Sequence, residues 1–227
     1  MPDFPKRWPA TNPGIIQLYT LPTPNGQKVS IMLEEIGLPY EAHQINIMEG
    51  DQFDEDYLKI NPNNKIPSII DPYGPNGEPI SFMESGAILL YLAEKTGKLL
   101  PSDPAKRWET IQWLFFQVGH VGPMFGQFGH FYKYAADKTT DDYGMHRYRD
   151  ESQRILGVLE KRLQDGRPWI MGDDLTVADI AIAPWIKGLD WYEGHDELGT
   201  NNYPLVEQYR GRFYDLPSVQ RGSVVGG

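Results

Sequence analysis

No cysteine occurs in this chain of 227 residues. That absence removes disulfide scaffolding, thiolate metal sites and any nucleophilic protein thiol together. If thiol chemistry takes place here, the ligand brings the sulfur. Basic residues are also in short supply: 21 Lys and Arg face 31 Asp and Glu, for a net charge of −10. Nucleic acid and anionic membranes need a basic face, so neither is an expected partner. No apolar run approaches the ~20 residues of a membrane span. Residues 1–14 carry Pro2, Pro5, Pro9 and Pro13 with no apolar stretch between them. They read as an extended arm rather than a signal peptide, with the cytoplasm as the expected location. The five histidines, His43, His120, His130, His146 and His195, show no metal-ligand spacing, so no metal is expected. Neither a glycine-rich phosphate loop nor a serine nucleophile elbow is present.

What is present suits folded, globular parts. Hydrophobic residues make up 40% of the chain and aromatics 12%, enough for one large core or two small ones. From 15 to 98, strand and helix signals alternate. Ile15–Tyr19 is a short apolar run ending in a proline-rich turn. Val29, Met32, Leu33 and Ile36 then fall at i, i+3, i+4 and i+7, one face of a helix that Gly37 stops. Tyr40–Ile47 reads as a second strand, Asp54–Ile60 as a short helix and Ile66–Ile70 as a third strand. Ile80–Met83 is its hairpin partner across a Pro, Gly and Asn turn. Ser85–Lys95 is apolar nearly all round, which predicts burial on more than one side, and Gly97 ends it.

From Pro104 onward strand signals vanish. Trp108, Ile111, Gln112 and Phe115 begin one long helical pattern, and Ile155, Leu156, Leu159 and Leu163 mark another. Thr176 and Asp179 form a capping box ahead of a further helix. The stretch 119–130 is unusual in a helical pattern, because its four glycines and Pro123 cost helix stability. A kink or the close approach of another backbone is expected there. The expected division is an arm over 1–14, an α/β domain over 15–98, a linker over 99–105 and an all-α domain over 106–227. The glycine-rich tail after Pro217 reads as frayed.

The most informative segment is 61–70, Asn-Pro-Asn-Asn-Lys-Ile-Pro-Ser-Ile-Ile. A proline donates no ladder hydrogen bond, so Ile66-Pro67 cannot sit inside an ordinary central strand. A cis bond at Pro67 would turn the chain and leave the Ile66 N–H and C=O facing outward, ready to pair with an extended ligand. Farther on, Glu84-Ser85 stands where a strand hands over to a helix, whose N–H groups and partial positive charge suit a carboxylate. An edge for peptide backbone beside a carboxylate pocket is a site for a small anionic peptide.

Four strings, in this order, resemble the glutathione transferase family: Tyr19-Thr20-Leu21-Pro22-Thr23-Pro24-Asn25-Gly26, then Asn63-Asn64-Lys65-Ile66-Pro67, then Glu84-Ser85-Gly86-Ala87-Ile88, and Leu175-Thr176-Val177-Ala178-Asp179-Ile180-Ala181. The Thr-Pro-Asn-Gly segment is similar to the nu class specifically. That class includes bacterial glutathione-dependent disulfide-bond oxidoreductases and is related to a domain of a fungal nitrogen regulator. The resemblance implies a thioredoxin-like N-terminal domain followed by a C-terminal helical bundle, paired as a homodimer. It implies glutathione as co-substrate, reducing a disulfide and leaving as glutathione disulfide. Transfer of glutathione to small electrophiles is the alternative activity. A non-enzymatic glutathione-binding or regulatory module is a third reading, against which stands the regulator's long Asn/Gln-rich extension, unlike this short arm.

Residue roles follow from the same resemblance. Thr23 and Asn25 flank Pro24 in a loop that lies over the bound sulfur, which makes them the catalytic pair. By local sequence alone they serve turn and N-cap chemistry. Tyr19 sits within a strand and reads as structural, although several transferase classes use a tyrosine nearby. Ile66 and Pro67 would meet the cysteinyl backbone, and Lys65 would neutralise the glycyl carboxylate. Glu84 would pair with the γ-glutamyl ammonium, and Ser85 would take the neighbouring carboxylate. Gln52 is carried over from the nu class, as is Arg147, expected to reach toward the ligand from the second domain. The plainer readings are solvated charges for Lys65 and Arg147 and a solvated loop for Gln52. Phe128, Phe131 and Tyr132 would wall the second-thiol or electrophile site, or else serve helix packing.

Overall fold

Four short strands turn the alternating signals of the first half into a mixed sheet: β1 (Ile16–Thr20), β2 (Tyr40–Gln44), β3 (Ser68–Asp71) and β4 (Ile80–Phe82), in the spatial order β2-β1-β3-β4. β2 runs parallel to β1, with Leu18 opposite Ala42, and β3 runs antiparallel to it, with Leu18 opposite Ile69. β4 continues the antiparallel side, Ile70 facing Ser81. Every residue of β1 is buried, as a central strand covered on both faces must be. The computed structural model describes residues 4–138 and 140–227. They fall in two compact units: one runs through Lys98 and takes in Pro217–Gly227, the other is Leu99–Leu216.

Helix boundaries in the first unit follow local chemistry. α1 (Pro24–Ile36) starts with proline at its first position and ends at Gly37, whose φ of 74° lets its N–H reach Leu33 O at 3.0 Å. α2 (Glu55–Ile60) is capped by Asp54, which accepts from Asp56 N at 2.9 Å. α3 (Ser85–Thr96) stops at Gly97, φ 67°. It buries one face, through Ile88, Leu89, Leu92 and Ala93, while Ala87 is exposed. The expectation of burial on several sides is therefore corrected. Tyr91 covers part of the remainder by stacking on Phe82 at 4.2 Å and donating to Asp71 Oδ2 at 2.6 Å. Over its described residues the arm runs through bends at 6–8 and 11–12 and a turn at 13–14, and it is pinned. Arg7 pairs with Asp51 and Asp54, and the N–H groups of Thr11 and Asn12 donate to the Glu41 carboxylate at 2.9 and 2.8 Å.

The second unit is built from α4 (Pro104–Phe116), α5 (Gly122–Gly129), α6 (Tyr143–Arg162), α7 (Val177–Tyr192), α8 (His195–Leu198) and α9 (Pro204–Tyr214). Segment 99–103 belongs to it, since Val177 N donates to Leu99 O at 2.9 Å. The capping box of α7 forms as read. Asp179 takes the N–H of Thr176 at 2.9 Å, the N–H of Ile170 at 2.8 Å and the Tyr209 hydroxyl at 3.2 Å. Burial pushes the Asp179 carboxyl up to about 6, against those hydrogen bonds. The glycine-rich stretch is α5 between two π-helical turns, Gln117–Val121 and His130–Tyr134. What approaches closely is side chains, aromatic rings and the Gln117 amide, not another backbone. A Cβ at Gly129 would stand 2.4 Å from the Tyr192 ring, and one at Gly122 3.2 Å from Trp185.

The tail differs most from expectation. Pro217–Gly222 forms α10, which packs on α1 in the first unit rather than fraying at the end of the all-α domain. Ser30 Oγ donates to Gly222 O at 2.7 Å, and Gln27 Nε2 to Ser223 O at 3.1 Å. Arg221 pairs with Glu34 at 2.7 Å. Glycine is required at 222, because a Cβ there would lie 2.6 Å from Ile31 Cα.

Candidate active site

The turn after β1 sets Thr23 ahead of α1 in extended conformation, and its Oγ accepts from Gly26 N at 3.3 Å. The turn is tight: a Cβ at Gly26 would stand 1.9 Å from Leu21 O. Capping uses a lone pair of the hydroxyl, so its proton still has a second partner to serve. Capping and ligand binding are thus compatible in one side chain. Asn25 is the second residue of α1, where backbone N–H groups align with the axis and the dipole favours an anion. Both side chains are half-buried.

The Ile66–Pro67 bond is cis, as expected. Ile66 packs against the cluster of Tyr19, Ile45, Tyr57, Ile60 and Ile70. Neither its N–H nor its C=O takes part in a backbone hydrogen bond among the described residues. The segment is held from behind, where Tyr57 Oη and Asn61 Nδ2 both donate to Lys65 O, at 2.5 and 2.6 Å. Burial raises the Tyr57 phenol to about 12, which keeps it a donor. Lys65 itself is exposed. Gln52 lies in the short turn Asp51–Phe53; its Nε2 donates to Ile47 O at 3.3 Å. Its buried Oε1 has no hydrogen-bond partner among the described residues.

At the start of α3 the backbone bends through Glu84, whose φ of 67° is unusual for a residue with a side chain. That bend leaves the Glu84 carboxylate exposed and Ser85 buried as the first helical residue. Asn63 Nδ2 donates to Glu84 Oε1 at 3.4 Å, so the loop ahead of the cis bond touches this carboxylate. Ser85 Oγ accepts from Lys28 Nζ at 3.3 Å. Lys28 is 1% exposed, and burial pulls its ammonium down to about 7, with the Glu84 carboxylate opposing. Thr23, Asn25, Ile66, Pro67, Glu84 and Ser85 therefore sit at the β1–α1 turn, the entrance of β3 and the start of α3, all within one unit.

Tyr19 is structural. It is fully buried, its ring stacks on His43 at 4.7 Å, and burial raises its phenol well above the usual value. In the second unit, Arg147 lines a cavity of about 710 Å³ with Met124, Tyr143, His146, Glu151 and Arg154. Arg154 grips Glu151 with two hydrogen bonds, at 2.7 and 2.8 Å, and holds that carboxyl low. Phe128 offers no ring face: it is fully buried and stacked on Tyr132 at 5.1 Å. Phe131 and Tyr132 are half-buried and line a smaller cavity of about 220 Å³. Among the described residues no three His, Asp or Glu cluster as a metal site, and no helix is long and apolar enough to cross a membrane.

Sequence reasoning missed Lys28, Asn63 and the Tyr57–Asn61 support. Lys28 left a readable trace, since it lies four residues before Met32 on the buried face of α1, where an unsupported lysine is rare.

Known proteins match this architecture along nearly its whole length. The N-terminal domain model of glutathione S-transferases matches residues 18–100, and the C-terminal domain model matches 124–221. The disulfide-bond oxidoreductase YfcG of Escherichia coli is 45% identical over 207 residues, covering 90% of this chain and 93% of that protein. A glutathione transferase family member from Pseudomonas fluorescens, solved with two glutathione bound, is 52% identical with a TM-score of 0.95 over 97% of each chain. A glutathione transferase from Pseudomonas putida, with one glutathione disulfide bound per subunit, is 49% identical with a TM-score of 0.95, covering 98% of this chain and 96% of that one. Motif order, sheet topology and these matches agree, and the chain belongs to the glutathione S-transferase family.

Proposed function

We propose that the chain is a glutathione-dependent disulfide-bond oxidoreductase. The observation that carries this reading is a helix N-terminus with a hydroxyl donor in a chain that has no cysteine. Such a site can stabilise a thiolate and has none of its own. The reading is supported by the name of YfcG and by the glutathione and glutathione disulfide bound in the Pseudomonas structures.

A thiol with a pKa near ~8.5 is mostly protonated at neutral pH and needs help to ionise. Thr23 donates its hydroxyl and Asn25 its amide and backbone N–H to the glutathione sulfur. The thiolate then attacks one sulfur of the substrate disulfide, forms a mixed disulfide and expels the other sulfur, which takes a proton. A second glutathione thiolate attacks the glutathione sulfur of the mixed disulfide, releasing the second substrate thiol and leaving glutathione disulfide. The Ile66 backbone, next to Pro67, pairs with the cysteinyl unit, and Lys65 faces the glycyl carboxylate. Glu84 holds the γ-glutamyl ammonium and Ser85 the carboxylate beside it. Gln52 adds a polar contact through its unsatisfied Oε1. Arg147 is assigned to the second half of glutathione disulfide. The protein acts as a cytoplasmic homodimer in this reading.

The test is a side-by-side assay of purified protein with glutathione and either a model disulfide or a model aryl halide. Turnover of the disulfide with formation of glutathione disulfide supports the reading. Preferential turnover of the aryl halide would make the chain a transferase, and tight glutathione binding without either turnover would make it a binding module.

A further inference from the structure

Lys28 carries a buried ammonium that the mechanism above does not use. It projects from the second turn of α1, and α1 packs on α3 and α10. Its Nζ lies 3.3 Å from Ser85 Oγ, and both side chains are buried. Taking a charged lysine out of water is costly unless it is hydrogen-bonded and paired, and here Ser85 and the Glu84 carboxylate act on it. The chemistry of this pair is directional. A charged lysine can only donate, so Ser85 Oγ accepts from it and the Ser85 proton is turned toward any carboxylate docked at the start of α3. A neutral lysine offers a lone pair that competes for that same proton.

We propose that Lys28 is a positioning residue for the γ-glutamyl carboxylate: as that carboxylate docks on Ser85, Lys28 takes up a proton and turns the Ser85 hydroxyl outward as its donor. This rests on the glutathione assignment of the preceding section. The proton comes from solvent, and no bond between heavy atoms forms or breaks. Glu84, just before α3, is the carboxylate that acts on Lys28; the other acidic and basic side chains of α3, Glu94 and Lys95, stand in its last turns. On α10, Arg221 is engaged with Glu34 of α1, and Ser218 with Glu35. With the lysine poised near neutrality, an added carboxylate beyond Ser85 raises its proton affinity. The bound protein then holds more protons than the free one, so affinity falls as pH rises through this window.

Calorimetry with S-methylglutathione tests this, because that ligand has no ionisable thiol. Titrations at about pH 8 in buffers of different ionisation enthalpy count the protons exchanged. We expect uptake of about half a proton per ligand by the unaltered protein and almost none by Lys28→Met, with about tenfold weaker binding in the variant. The ligand's own ammonium titrates alike in both, so the difference belongs to Lys28. Lys28→Gln, which keeps a donor and cannot titrate, should bind with an affinity less dependent on pH than the unaltered protein, and it replaces Lys28→Met if that variant misfolds. Equal proton uptake in the unaltered protein and in either variant would overturn the role of Lys28. Failure of the unaltered protein to bind S-methylglutathione would instead overturn the glutathione assignment itself, and this inference with it.

Discussion

Thr23 is assigned two tasks with one oxygen, and substitution reads each of them with its own measurement. Its lone pair caps α1 and its proton is assigned to the glutathione sulfur. Thr23→Ala removes both, so it should cost about 1 kcal/mol of stability and on the order of 10²–10³ in turnover. Thr23→Ser restores the hydroxyl and should recover most of each. Steady-state kinetics with the model disulfide beside a urea titration would read the two effects. Near-normal turnover in Thr23→Ala would leave the loop a purely structural role. Lys28 makes a second, independent statement in the ligand-free protein. Its folded pKa of about 7 lies below the ordinary 10.5, so between these values the unfolded chain binds more protons. Stability therefore rises with pH across that window. Several buried tyrosines, Tyr19 and Tyr209 among them, have raised pKa values and act the other way once unfolded phenols ionise. The comparison belongs between about pH 7 and 9: the unaltered protein should gain stability there relative to Lys28→Met, measured by chemical denaturation. A constant difference would mean that Lys28 does not titrate in the fold.

Among the elements, α7 and α10 show two ways in which a helix can be fastened. Asp179 at the start of α7 satisfies the N–H groups of Ile170 and Thr176 and the Tyr209 hydroxyl. Asp179→Ala strands buried donors and should destabilise the protein by on the order of 3 kcal/mol, lowering Tm by roughly 10 °C. Differential scanning calorimetry would record it. The glutathione affinity of the folded fraction should be unchanged, since Asp179 is fully buried and engaged with Ile170, Thr176 and Tyr209. This box was legible because its chemistry is local and spans four residues. The same holds for Gly37, Gly97 and the cis Ile66–Pro67 bond, each dictated by one or two residues. α10 was not legible. Pro217-Ser218-Val219-Gln220-Arg221-Gly222 has almost no apolar periodicity, and what holds it is the burial of Val219, the close approach of Gly222 to Ile31 and polar contact with α1, far away in sequence. For the same reason Lys28 and Asn63 escaped notice: their partners, Ser85 and Glu84, are joined to them only by the fold. For Phe128 the sequence left open whether the ring walls a site or serves helix packing, because ring exposure depends on the rotation of α5; the structure buries it. Chain termination before Pro217 should therefore destabilise the first unit and weaken glutathione binding, by uncovering Ile31 and loosening α1, whose N-cap is Thr23 and whose first turn holds Asn25. Unchanged melting and affinity in that truncated chain would show that α10 only decorates α1.

At the scale of the whole molecule, charge sets a problem that the local site has to solve. The chain carries a net charge of −10, while glutathione carries about one net negative charge and glutathione disulfide about two at neutral pH. The far field thus opposes the approach of both ligands, and on the proposed assignment binding depends on nearby cations, Lys65 facing the ligand and Lys28 acting through Ser85. Salt distinguishes the two contributions. The Debye length is about 30 Å at 0.01 M ionic strength and about 10 Å at 0.1 M, so added salt removes the distant repulsion before it weakens contacts inside a buried site. Association should therefore accelerate as ionic strength rises over that interval, and more steeply for the disulfide, which bears the larger charge. Stopped-flow tryptophan fluorescence with each ligand would measure it. Acceleration by salt places the controlling field on the acidic surface as a whole. Slowing by salt would mean that a local cluster of cations captures the ligand from a distance, and the net charge would then be irrelevant to how glutathione arrives.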